Sequence, residues 1–260
     1  MDNTVKEPLI HLSKREDMSF GKKWLVRIIA ILLSLIVCAG FIFIIIKMNP
    51  VEVYEGIVEG AVGTGRRFWV TARDALTLLC VAVAVTPAFK MKFWNIGAEG
   101  QILMGCVASA AMMIYAGNAL PTGLLLVLMF VCSFIAGGIW GIIPAFFKAR
   151  WNTNETLFTL MLNYVAMQVV TFCIVYWENP AGSNSVGIIN APTRAGWLPQ
   201  LFGLDYGWNL AIVLLLTVLM FIYMKRTKHG YEIAVVGESE NTARYAGINV
   251  GKVIVRTVGI

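Results

Sequence analysis

Three short polar segments hold the residues of this 260-residue chain whose types and spacing could do chemistry. The first is Phe93-Trp94-Asn95-Ile96-Gly97-Ala98-Glu99-Gly100-Gln101, which sets two amides and a carboxylate among glycines between two apolar runs. A charge at the centre of a bilayer costs about 2.5–3.5 kcal/mol on insertion scales, so Glu99 is expected to face protein or water. Asn95 can cap the helix that follows, with Glu99 in its first turn where the helix dipole favours an acid. The same Gly-broken stretch can also line a solute path, as interrupted helices do; the two readings are compatible. The second segment is Asn152-Thr153-Asn154-Glu155-Thr156-Leu157. Asn152 or Thr153 can cap a helix there, and Asn152-x-x-Glu155 has capping-box spacing. Asn163, Tyr164 and Gln168 follow inside the next apolar run. Amides in such a run bond to neighbouring helices or meet a polar solute, and the sequence leaves both open. The third segment runs from Thr227-Lys228-His229-Gly230-Tyr231-Glu232 to Ala246-Gly247-Ile248. Ser239 is a good N-cap and Gly247 a good C-terminal stop, which predicts about two turns of surface helix between them.

Several chemistries lack their residues. There is no Gly-x-x-x-x-Gly-Lys-Ser/Thr loop to cradle a nucleotide, no His-Glu-x-x-His and no Gly-x-Ser-x-Gly elbow. The two histidines, His11 and His229, fall in polar segments, leaving little material for metal hydrolysis or His-based acid–base catalysis. Cys38, Cys80, Cys106, Cys132 and Cys173 all sit in apolar runs without a Cys-x-x-Cys pair, as small apolar fillers do. No catalytic residue, metal site or cofactor is expected. The net charge of +6 comes from clustered basic residues. In a membrane protein such clusters mark cytoplasmic loops rather than a nucleic-acid surface.

The elements that must position these segments are membrane spans. Hydrophobic residues make up 58% of the chain and charged ones 14%, and the mean hydropathy is +0.73. Crossing a hydrocarbon core takes roughly 20 apolar helical residues, and the backbone must satisfy its own hydrogen bonds there. The expected fold is therefore an all-α integral membrane protein with about six transmembrane helices. Their expected bounds are Trp24–Ile46, Ala75–Phe89, Ile102–Tyr115, Leu124–Phe147, Thr156–Trp177 and Trp208–Met224, with the second closed by Thr86-Pro87. Lys252 to Ile260 reads as the stub of a seventh span, and the expectation is that the chain is truncated there.

Residues 1–23 read as a cytoplasmic tail, residues 24–260 as one transmembrane domain, and residues 225–252 as its cytoplasmic coupling segment. With the N-terminus inside, the inner loops hold Lys90 and Lys92, then Lys148 and Arg150, then Lys225, Arg226 and Lys228. Arg66, Arg67 and Arg73 are the exception, which makes Val51–Asp74 a candidate amphipathic or re-entrant segment on the outer face. The outer stretch from Glu178 to Gly207 is long for a loop without evident structure, and loops of that length are usually functional or disordered.

Taken together, the three segments resemble the permease subunits of bacterial ABC importers, in the branch of simple-sugar and nucleoside permeases related to branched-chain amino acid permeases. The resemblance is carried by Asn95-Ile96-Gly97-Ala98-Glu99-Gly100-Gln101, by Asn154-Glu155-Thr156-Leu157 with Leu160-Met161-Leu162-Asn163-Tyr164, and by Gly230-Tyr231-Glu232 through Ala243-Arg244-Tyr245-Ala246-Gly247-Ile248. It covers about Trp24 to the last residue. It implies a non-catalytic, multi-pass subunit of the bacterial plasma membrane. Its implied partners are ATP-binding cassette subunits, a second permease subunit, membrane lipid and an extracellular solute-binding (lipo)protein. Asn95, Gly97, Glu99, Gln101, Asn163 and Tyr164 would lie along the translocation path. Gly237, Glu238, Asn241, Ala243, Arg244, Ala246 and Gly247 would couple to the ATPase. The Asn-Ile-Gly-Ala-Glu-Gly-Gln form points to a nucleoside, with a simple sugar as the other solute. The alternatives are a secondary transporter, which would need buried coupling charges beyond Glu99, and a truncated permease fragment that does not transport.

Overall fold

A computed structural model describes residues 19–201, 203 and 206–260 of the chain. The expected tail at residues 1–23 therefore falls mostly outside the described residues, as does His11. Ten α-helices are present among the described residues: α1 Phe20–Phe41, α2 Pro50–Val62, α3 Gly65–Lys90, α4 Ala98–Ala116, α5 Thr122–Trp151, α6 Glu155–Tyr176, α7 Gly207–Arg226, α8 Lys228–Glu238, α9 Glu240–Tyr245 and α10 Val250–Val258. Six helical segments are long and apolar enough to cross a membrane: Phe20–Ile46 and helices α3 to α7. Their windows of highest hydropathy are at most 17% buried inside the protein. Such exposure would be ruinous in water and is ordinary where lipid is the solvent.

The chain divides into two units, Met1–Thr71 and Ala72–Ile260. In the first, α1 continues into a π-helical turn at Ile42–Ile46 and breaks at Lys47, whose φ is 56°. Asn49 then caps α2, its side chain accepting from Val51 N at 3.0 Å, with Pro50 at the first helical position. The stretch expected to be an amphipathic or re-entrant segment holds a separate 13-residue helix. The Tyr54 hydroxyl donates to the Leu35 carbonyl at 2.6 Å, holding α2 to α1.

Helix α3 differs most from the expected spans. It begins at Gly65 rather than near Ala75 and passes through Pro87 to Lys90. Arg66, Arg67, Arg73 and Asp74 kept its first turns outside the expected span, yet arginines near a helix end can run their stems along the apolar surface and keep the charge in water. In the second unit α4 and α5 are joined by a five-residue connection and α5 and α6 by a three-residue one. Along α4, Gly105 approaches Ser133 of α5, while Gly137 and Gly141 of α5 face Gln101. Small residues at such crossings let helix backbones close up where no hydrophobic effect drives them together.

The buried core gathers at the basic end of this unit. Ala88 of α3, Met91 and Phe93 just after it, Ala145 of α5, and Ile233, Val236, Ala243, Val253 and Ile254 of α8 to α10 are part of one cluster. Helix α10 is amphipathic and nine residues long, about 13 Å at 1.5 Å per residue, and its Val250, Val253, Ile254 and Val258 belong to this cluster. His229, read from sequence as part of a polar segment, is 3% exposed. Its Nδ1 faces Glu232 Oε2 at 3.2 Å and its Nε2 faces Thr257 Oγ1 of α10 at 3.2 Å.

The long outer stretch is organised by side chains. Asn190 Nδ2 donates to the Met113 carbonyl of α4 at 2.8 Å and to the Ala195 carbonyl at 3.1 Å. Trp197 Nε1 donates to the Ile189 carbonyl at 3.0 Å. The Glu178 carboxylate accepts from Gly182 N at 2.6 Å and from Asn184 N at 3.2 Å, which folds the tip back on itself.

Candidate functional site: a membrane-depth cavity and an exposed helix

The connection between α3 and α4 is where the first polar segment folds. Lys92 takes a left-handed φ of 62°, and the Asn95 side chain closes the turn by accepting from Gly97 N at 3.0 Å. The N-cap of α4 is therefore Gly97 and not Asn95, which acts two residues earlier. Glu99 does fall in the first turn of α4, and it is exposed.

Asn163 of α6 fastens this segment from the side. Its Oδ1 accepts from Gly100 N at 2.9 Å and its Nδ2 donates to the Ile96 carbonyl at 2.9 Å. The residue is 4% exposed, so its whole amide is committed to backbone. Close approach makes this possible. A Cβ on Gly97 would stand 2.9 Å from Thr159 Cβ, and one on Gly100 would stand 2.8 Å from Asn163 Oδ1. Tyr164, the next residue on α6, points away and is 57% exposed.

Beside Asn95, α3, α4, α5 and residues 257–260 line an open cavity of about 660 Å³. Its wall is apolar, with Asn95, Gln101, Ser109, Ser133 and Thr257 as its polar members and no charged residue among the described ones. Cavities of this size and character suit small molecules. Asn95 Nδ2 donates to Gln101 Oε1 at 3.2 Å. Ser133 Oγ donates to the Gly105 carbonyl at 2.9 Å and is in close contact with Ser109 Oγ. Ile189 of the outer stretch and Thr257, which bonds His229, both border the cavity. Of the six residues expected along a solute path, the structure brings Asn95 and Gln101 to this wall. Gly97 and Asn163 are consumed in packing behind it, Glu99 is exposed outside its lining, and Tyr164 faces elsewhere. Ser109 and Ser133 were missed because hydroxyls scattered through apolar runs have no distinguishing spacing.

The second polar segment caps differently from expectation. Asn152 takes a left-handed φ of 50° and ends α5, while Asn154 caps α6 by accepting from Leu157 N at 3.2 Å. Glu155 is thus free of the expected capping box and pairs with Lys148 Nζ at 3.0 Å, tying α5 to α6.

The third segment folds as the caps predict. Ser239 accepts from Thr242 N at 3.3 Å to start α9, and Gly247 ends it with φ 76°. Gly237 is buried where α8 meets the end of α3, and a Cβ there would overlap the Lys90 carbonyl oxygen. Ala243 is fully buried in the core. Glu238, Asn241, Arg244, Ala246 and Gly247 are exposed. Tyr245, which polarity alone did not single out, is 93% exposed at the apex. Beside it a cleft of about 520 Å³ runs between the end of α5 and α9, bordered by Arg150, Glu240 and Arg244.

A family model described as branched-chain amino acid transport system / permease component matches residues 69–260. The chain is similar to the guanosine ABC transporter permease protein NupP of Bacillus subtilis, at 29% identity over 241 residues, which cover 90% of this chain and 67% of that one. It is also 29% identical over 244 residues to the nucleoside ABC transporter permease protein NupB of Lactococcus lactis, covering 90% and 66%. With the glucose ABC transporter permease protein TsgB13 of Haloferax volcanii it shares 28% identity over 233 residues, covering 84% and 59%. The chain thus spans about two thirds of the length of the first two relatives and less of the third. No solved structure matches it.

Proposed function

The chain belongs to the branched-chain amino acid transport system / permease component family, and from that membership we propose that it is a permease subunit of an ATP-driven importer for nucleosides or simple sugars. ATP hydrolysis falls to a partner chain docked on α9, and a solute-binding protein delivers solute to the opposite face. A second permease subunit completes the pore. The cavity walled by α3, α4 and α5 lies on the solute path, with Asn95 and Gln101 in its lining. Its lack of charge suits a neutral solute that carries hydrogen-bonding groups. Two of the similar proteins are named for guanosine and nucleosides and one for glucose, which supports those solute classes.

The observation that carries the ATPase-docking part is the two-sidedness of α8 and α9. Gly237 and Ala243 anchor them inward, while Glu238, Asn241, Arg244 and Tyr245 stand exposed at the basic end. A rigid aromatic flanked by an arginine is the residue pair most enriched where binding energy concentrates. The double variant Arg244→Ala, Tyr245→Ala is expected to lower the ATPase activity that co-purifies with the chain by about tenfold or more, at unchanged chain level in the membrane. Uptake should fall with it. Uptake that survives ATP depletion but stops when the proton or sodium gradient is collapsed would sink the importer reading in favour of a secondary transporter.

A further inference from the structure

Apolar packing lets two helices slip past one another, whereas a buried hydrogen bond fixes their register. Helix α10 meets its neighbours almost wholly in the first way. Val250, Val253, Ile254 and Val258 share a core with Ile233 and Val236 of α8 and Ala243 of α9. Against α5 its end is bedded on glycines. A Cβ on Gly141 would stand 3.3 Å from the Val258 carbonyl oxygen, and one on Gly138 would stand 3.7 Å from that of Gly259. Among the described residues one side-chain hydrogen bond joins α10 to another helix, between Thr257 Oγ1 and His229 Nε2 of α8 at 3.2 Å. The direction of that bond follows from the other ring nitrogen. Nδ1 lies 3.2 Å from the Glu232 carboxylate, which only accepts, so Nδ1 carries a proton and in the neutral ring Nε2 accepts from the Thr257 hydroxyl. His229 and Thr257 are 3% and 5% exposed, and the imidazole stands against Tyr223 of α7 with ring centroids 5.9 Å apart. Sliding α8 along α10 would leave both atoms unpaired where burial keeps out a substitute, which is costly. Thr257 therefore follows α8 when α8 moves.

Thr257 is also where α10 reaches the cavity, which Thr257, Val258, Gly259 and Ile260 border. We propose that His229 is a positioning residue that transmits movement of the α8–α9 segment to the cavity wall through Thr257. On the permease function proposed above, on which this rests, the docked ATPase moves α9 and α8, and the imidazole carries that movement to the solute path. The glycine bed on α5 permits α10 to shift, and the His229–Thr257 bond makes it shift with α8. A link of this kind is a coupling between two sites, so its signature is lost communication rather than lost activity at either one.

Cys106 of α4 supplies the reporter. It is exposed and borders the cavity, and thiols react as thiolates, so its labelling follows the access of water. Membranes from source cells carrying allelic replacements are treated with a neutral maleimide, with and without ATP plus vanadate. Labelling of Cys106 is read by mass spectrometry, and ATPase activity is measured without vanadate on the chain purified from the same membranes. In the natural chain ATP plus vanadate is expected to change the Cys106 labelling rate about fivefold or more, the low end of coupling between sites. His229→Gln keeps an acceptor near the place of Nε2, and the change should persist. His229→Asn keeps a polar group near the place of Nδ1 but falls short of Thr257, and the change should shrink below about twofold while ATP hydrolysis continues. Thr257→Val removes the hydroxyl at nearly constant volume and should lose the change likewise; it stands in for His229→Asn if that chain fails to reach the membrane. An undiminished change in His229→Asn or Thr257→Val overturns the proposal. Equal loss in His229→Asn and His229→Gln also overturns it, because the histidine would then serve packing alone. Absence of any ATP-dependent change in the natural chain overturns the importer reading together with this one.

Discussion

Replacing Asn163 with Leu keeps side-chain bulk but strands two backbone groups, the Gly100 N–H and the Ile96 carbonyl, in a site only 4% exposed. Each unsatisfied buried group costs about 1–3 kcal/mol, and nothing at membrane depth replaces the lost partner. The unfolding midpoint of the detergent-solubilised chain is expected to drop by several degrees, whereas Tyr164→Phe on the exposed side of α6 should leave it unchanged. An Asn163→Leu midpoint equal to that of the natural chain would show that the turn before α4 holds itself. The sequence marked Asn163 and the Asn95–Gln101 segment alike, as polar residues in or between apolar runs, without bringing the two together. It left open whether the amide bonds a helix or meets a solute, since both uses demand the same residue type. Which use applies depends on Gly97 and Gly100 letting α6 approach, a three-dimensional fact with no local signature. Ser109 and Ser133 were illegible for the same reason: they matter only because Gly105 brings α5 against α4.

At the scale of elements, α8 is placed by one close contact. Its Gly237 meets the end of α3 so tightly that a Cβ would overlap the Lys90 carbonyl, and backbone cannot yield as a flexible side chain does. Gly237→Val is therefore expected to lift α8 from α3, exposing the Val236 and Ile233 side of the core to solvent. Trypsin should then cut at Lys228 or Arg244 about tenfold faster or more than in the natural chain, since protection follows the free energy of local opening. Equal cleavage rates would mean that α8 is held by His229 and Thr257 without help from the glycine. The caps of α9 were readable because Ser239 and Gly247 act on their nearest backbone. The start of α3 was not readable, since Arg66, Arg67, Arg73 and Asp74 carry the polarity of a loop while adopting helix. The Asn152–Glu155 spacing misled because Asn152 satisfied a different demand, the left-handed end of α5, and Lys148 claimed Glu155.

Across the whole of the second unit, the two ends offer partners different chemistry. The basic end presents a short, well-anchored helix with an exposed tyrosine; the other end presents the Glu178-organised tip and the Asn190-docked stretch below it. On the importer reading these ends serve different proteins, and their contacts separate cleanly. The tip is closed by its own bonds, with Asn179 N donating to the Ser185 carbonyl at 2.9 Å, and its residues 181–185 are exposed. Excising 181–184 therefore leaves the Asn190 and Trp197 contacts intact. The shortened chain is expected to lose retention of the solute-binding protein while its co-purified ATPase activity stays within twofold of the natural chain. The Arg244→Ala, Tyr245→Ala variant should do the reverse. Sites far apart with no shared partner are additive, so combining the two changes should produce both defects at their single-variant size. Loss of the ATPase on excising the tip would mean that the outer end stabilises the inner one. Full retention of both partners would remove the tip from the docking surface and move the search to the exposed stretch around Ile188 and Leu198.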